Sequence, residues 1–144
     1  MRRAAAPAVA RVLPLAAALA LAGCGGERSA ALTDPEGGTE VRMVLRAMVG
    51  LHSDWRRRVV VTAPDGASRT VDLLADTGWW RGSQLWRGPD GGLALDEGQA
   101  GCVALVGRAP CGPPSTYLGR FEERDGVAAV PPSEAGPVRL PDPL

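Results

Sequence analysis

At 144 residues, with 16 arginines, no lysine, 16 acidic side chains and one histidine, the chain is about one domain long and formally neutral. That length leaves no room for a second core, and the charge excludes the strongly basic profile of a nucleic-acid binder. Six side chains are aromatic, four of them tryptophan, and no apolar run reaches the roughly 20 residues that a spanning helix needs.

The N-terminus is expected to be a secretory signal. Arg2 and Arg3 make a positive start, residues 12–22 an apolar stretch ending in small side chains, and the run breaks at Gly23 ahead of a polar, glycine-rich segment. Leu21, Ala22, Gly23 and Cys24 resemble the lipobox of bacterial lipoproteins. The resemblance covers the signal and cleavage site alone. It implies export, cleavage ahead of Cys24, lipid on its thiol, and membrane attachment in the cell envelope. At about 0.8 kcal/mol per buried methylene, two or three acyl chains hold firmly where one would exchange. Gly25 stands where a retention aspartate would sit, which implies the periplasmic face of the outer membrane in a two-membrane bacterium, and otherwise the outer face of the cell membrane. Loss of residues 1–23 removes Arg2, Arg3 and Arg11 and leaves 13 arginines against 16 acids, a mildly acidic mature chain.

Residues 24–38 then read as a lipidated start and flexible tether, small, charged or turn-forming. The domain is expected over 39–130. In 41–51, Val41, Met43, Leu45, Ala47, Val49 and Leu51 alternate with Arg42 and Arg46, which favours a strand; Val41, Val44, Leu45, Met48 and Leu51 also trace a helical stripe, with Gly50 against it. Three hairpins follow. Residues 58–62 and 69–74 flank Pro64, Asp65 and Gly66; 84–87 and 93–95 flank Pro89, Asp90 and Gly91; 117–122 and 127–130 flank Asp125 and Gly126. Proline pre-sets its φ and glycine accepts the positive φ that closes such turns. Residues 102–106 form another strand candidate, and the tail 131–144, with five prolines, is an edge wrap or a disordered end.

With Cys24 taken by lipid, Cys102 and Cys111 remain as an even pair in an oxidising compartment, and a disulfide is expected. A tetrahedral metal site lacks ligands, since His52 is the one histidine. No cofactor is expected. The fold class is mainly β, a small antiparallel meander forming a barrel or sandwich with one disulfide.

Chemistry-bearing patterns are sparse. His52, Ser53 and Asp54 are neighbours in a loop, an arrangement that mostly caps itself or faces water. The carboxylates Asp96 with Glu97, Glu122 with Glu123, and Asp72 with Asp76 are expected in solvent, because consecutive strand residues point to opposite faces. Arg56, Arg57 and Arg58 meet an anionic surface or blunt an edge strand against aggregation, the solvated reading being favoured. On a strand, one of Trp79 and Trp80 faces the core and the other, with Arg81 and Trp86, forms a platform for a sugar ring or a partner's apolar anchor; the alternative is that all four tryptophans fill the core.

These features describe a noncatalytic envelope lipoprotein that binds another envelope protein or peptidoglycan and does not engage nucleic acid. A small hydrolase using His52 and a purely structural accessory protein are the rival readings. In size, anchor, meander and single disulfide the chain resembles the lipoprotein inhibitors of lysozyme, although no loop here matches the one diagnostic of that family.

Overall fold

The computed structural model describes residues 26–48 and 54–143. The lipobox with Cys24, and the pair His52 and Ser53, lie outside them. Among the described residues nine strands form two antiparallel sheets: β1 (Glu27–Thr33), β2 (Glu40–Ala47), β3 (Trp55–Thr62) and β4 (Ser68–Asp72) in the first, and β5 (Ser83–Arg87), β6 (Leu93–Asp96), β7 (Cys102–Val106), β8 (Thr116–Glu122) and β9 (Ala128–Val130) in the second. Of barrel and sandwich, the chain adopts a sandwich. The described residues contain no helix long and apolar enough to cross a membrane.

Alternation builds the first sheet. Val41, Met43 and Leu45 of β2 lie opposite Val61, Val59 and Arg57 of β3, and all six side chains are buried. The strand reading of 41–51 therefore holds as far as Ala47, where β2 ends. The expected tether needs correction, since Glu27–Thr33 is the first strand, paired with β2 along its whole length. Only Ala30 and Leu32 bring its inner face to the core. This is enough for an edge strand whose other stabilisation is its hydrogen-bond ladder.

All three expected hairpins form. The recurring Pro-Asp-Gly tripeptide gives one bond pattern twice: Gly66 N–H donates to Ala63 O and Gly91 N–H to Gly88 O, while Ala63 N–H donates to Ala67 O and Gly88 N–H to Gly92 O. The first sheet is a plain meander. The second is ordered β7-β6-β5-β8-β9, so β8 returns beside β5 and makes a Greek key. The return loop is held by the Cys102–Cys111 disulfide, with Cα atoms 6.0 Å apart. Between β5 and β8 the register skips Leu118, and that bulge turns Leu118 into the core. Gly119 is required there, because a Cβ would come within 2.7 Å of Val130 O at a φ of +127°.

Between the sheets lie Leu32, Met43, Leu45 and Val59 from one side and Leu85, Leu93, Leu95, Leu105 and Phe121 from the other. Each contributes about 1.5–3 kcal/mol on burial. The proline-rich tail wraps instead of fraying: Gln84, pointing away from the core, donates from Nε2 to Val138 O (2.7 Å) and accepts from Val138 N–H (2.8 Å). The tail thus crosses β8 to cover the outer face of β5.

Candidate binding site

The segment linking the sheets, residues 73–82, carries the paired tryptophans on a loop, so the strand condition for the platform is not met, and the strand expected to reach Leu74 ends at Asp72. Asp76 organises it. Its Oδ1 accepts from Gly78 N–H (2.8 Å) and Trp80 N–H (3.1 Å), while its backbone exchanges hydrogen bonds with Trp55 at the start of β3. Gly82 then lets the chain pass close to β8, where a Cβ would sit 2.8 Å from Phe121 O.

This turn sends Trp80 inward, 1% exposed, with its Nε1 donating to Ser83 Oγ (2.9 Å). Trp79 stays half-buried over the core and donates from Nε1 to Ala75 O (2.8 Å). Between the rings lies the guanidinium of Arg57, 4.6 Å from the Trp80 centroid and 5.5 Å from that of Trp79. Arg57 Nη2 donates to Glu97 Oε2 (2.6 Å) and Nη1 to Leu74 O (3.2 Å), and Ser83 Oγ donates to Glu97 Oε1 (2.6 Å). One buried network therefore joins β3, the loop, β5 and the turn after β6.

Two expectations fail here. Arg57 is not solvated, and β3 is an inner strand, so its arginines blunt no edge. Glu97 and Asp76 are also buried, 2% and 1% exposed; both oxygens of Glu97 are hydrogen-bonded, whereas Asp76 is bonded through Oδ1 alone. A parity signal was present for Arg57: Val59 and Val61 face the core, and period two carries Arg57 inward with them. Nothing local marked Glu97.

The tryptophan platform is corrected as well. Trp86 is buried on the outer face of the second sheet, its ring 5.4 Å from that of Tyr117, and does not join Trp79. Arg81 is exposed but folds back, Nη1 donating to Gly78 O (2.9 Å) and Trp80 O (3.1 Å). What the loop does present is Trp79 beside Leu74, which is 66% exposed, in a hollow of about 290 Å³ completed by Gln99 and Ala100. A larger groove of about 530 Å³ runs where β1 meets β8 and β9, past Leu32, Pro35, Tyr117 and Pro131. No tryptophan lines it.

Chemically, the interior network pairs a serine with a carboxylate, but Ser83 is fully buried and both Glu97 oxygens are engaged. Its effect is mechanical, to fix the floor under Trp79 and Leu74. Among the described residues no group of three His, Cys, Asp or Glu is placed to hold a metal. Comparison with known protein families, with curated proteins and with solved structures returns no match.

Proposed function

We propose that the chain is a lipid-anchored, noncatalytic binding module of the cell envelope, whose hollow at Trp79 and Leu74 receives an apolar anchor from another envelope protein. The observation that carries this reading is an exposed leucine set against a tryptophan whose ring is fixed from below by Arg57 and from the side by Ala75 O. Rigid aromatic surface at a hollow is what binding hot spots use, since little side-chain entropy is lost on docking. Of the four lining residues only Gln99 offers side-chain hydrogen bonds. A peptidoglycan sugar, with hydroxyls around its ring, would leave most of them unpaired, so an apolar protein anchor fits better. The lipid anchor rests on the lipobox-like Leu21, Ala22, Gly23 and Cys24.

The test immobilises the membrane-extracted full-length product and passes solubilised envelope proteins, and separately peptidoglycan fragments, over the parent and over Trp79→Ala and Leu74→Asp variants. One protein retained by the parent, with affinity about thirtyfold lower for each variant, is expected of a hot-spot pair. Equal retention by all three, or retention of glycan alone, overturns the reading. Intact mass of the same extract tests the anchor: the chain must begin at Cys24 and carry acyl mass.

A further inference from the structure

We infer that the outer face of the first sheet holds a phosphate-binding site, formed by Arg46 and Arg56, that seats the domain on anionic lipid headgroups beside its own anchor. Strand register places the site. Glu27, Arg46 and Arg56 form one row across β1, β2 and β3, and the row lies at the end of the sheet where the chain enters β1. Cys24 precedes Glu27 by three residues. Even fully extended, those residues reach only about 11 Å, and Arg56 stands two strand spacings from Glu27, about 10 Å. A lipid on Cys24 therefore brings both arginines within reach of the bilayer surface. The inference rests on the anchor proposed above.

The electrostatics identify the ligand class. Arg46 and Arg56 are direct cross-strand partners, both exposed, and neither has an ion pair among the described residues. Like charges placed directly opposite repel unless an anion lies between them. Beside them is Arg58, whose charge is already shared: its guanidinium is 3.8 Å from Glu27, and Asp72 is its register partner on β4. Together with Val44, Asp72 and the buried Arg57, these three arginines line a hollow of about 190 Å³. Guanidinium forks match phosphate oxygens two at a time, and three outward arginines against Glu27 and Asp72 leave the cluster net positive. The alternation that buries Arg57 turns Arg56 and Arg58 outward, so one arginine triplet supplies both the interior network and this face.

The experiment reconstitutes the extracted protein, and an Arg46→Gln, Arg56→Gln double variant, into vesicles of phosphatidylcholine alone or with added phosphatidylglycerol, and follows amide hydrogen exchange over residues 44–58. Each arginine brought to an anionic surface contributes about fivefold in membrane affinity. Phosphatidylglycerol should therefore slow exchange in the parent several-fold, an effect lost at high salt and absent from the variant. Neutral glutamines remove repulsion without unfolding the sheet, which near-ultraviolet circular dichroism of the tryptophans checks. No phosphatidylglycerol effect in the parent, or an equal one in the variant, overturns the inference. If inorganic phosphate on neutral vesicles gives the same protection, the site serves a free anion and the headgroup assignment fails. Absence of acyl mass on Cys24 overturns the anchor and this inference together, whereas a lipidated protein without protection overturns only this one.

Discussion

Among the described residues, two arginine–carboxylate pairs cross between the sheets, one near each end of the sandwich, and their surroundings differ. Arg57 and Glu97 are sealed, their side chains 0% and 1% exposed, whereas Arg87 is 12% exposed and bonds both buried Asp34 and the mostly exposed Glu36. Taking charge out of water costs several kcal/mol per ion and is recovered only if each polar atom finds a partner. At Arg57 the recovery comes from Glu97, Ser83 and Leu74 O at the two terminal nitrogens and from two tryptophan rings, while Nε has no partner among the described residues. At Arg87 water supplies part of it. The comparison separates a closed unit that must stay whole, and that floors the candidate site, from a clip that fastens the turn after β1.

The largest effect should come from splitting the closed unit. Glu97→Gln leaves the Arg57 charge buried without its counter-ion and should cost about 3–5 kcal/mol, lowering Tm by more than about 10 °C. An Arg57→Met, Glu97→Leu double variant should recover most of that loss, since paired apolar replacement of a buried ion pair is often neutral. Denaturant unfolding of the three proteins tests this, and a double variant no more stable than Glu97→Gln would mean the pair is not coupled.

Next comes the covalent tie. The disulfide closes a short loop between residues nine apart, for which loop entropy gives about 2.5–3 kcal/mol. A Cys102→Ala, Cys111→Ala variant should lose that much in reversible unfolding. Smaller again is the open pair: Asp34→Ala should cost roughly 1–2 kcal/mol, a charged hydrogen bond discounted for solvent. A loss at Asp34 equal to that at Glu97 would erase the distinction drawn between the two ends.

How far this was readable follows from range. The hairpins, the alternating strands and the disulfide depend on neighbours and turn chemistry, and 58–62, 84–87 and 102–106 all lie in strands. β1 was hidden because its inward face needs only Ala30 and Leu32, in a stretch otherwise polar or small. Trp86 was misplaced on the surface because its sheet face carries Tyr117 of β8 and, on Gln84, the tail, anchored from a residue 54 positions away. Likewise Glu97 owes its burial to Arg57, 40 residues distant. No pattern within one segment signals either partner. The Trp79 part of the site was legible as an aromatic cluster, while its companion Leu74 stood at the end of an expected strand and gained meaning only when the loop turned it toward Ala100.

The smallest effect is also the cleanest to isolate, because the titration chemistry of this chain is unusually sparse. It has no lysine and one tyrosine, its described cysteines are bridged, and arginine keeps its charge beyond pH 12. Tyr117 is therefore the only side chain of the described region expected to titrate between about pH 9 and 12. Burial raises its phenol above the ordinary value of 10.0, opposed by Arg120 and reinforced by Glu122. A folded-state pKa above the unfolded one means that the native state holds its proton more tightly. Its contribution is thus complete below about pH 10 and is lost as pH rises through the folded value. Stability should be flat from neutral pH to about 10 and then fall. Tyr117→Phe should remove that alkaline fall, at no cost at pH 7, since the hydroxyl has no hydrogen-bond partner among the described residues. Unfolding free energy followed from pH 7 to 11.5 in both proteins decides it: an identical alkaline decline in the variant would place the responsible group elsewhere, and a large loss at pH 7 would mean the hydroxyl is bonded after all.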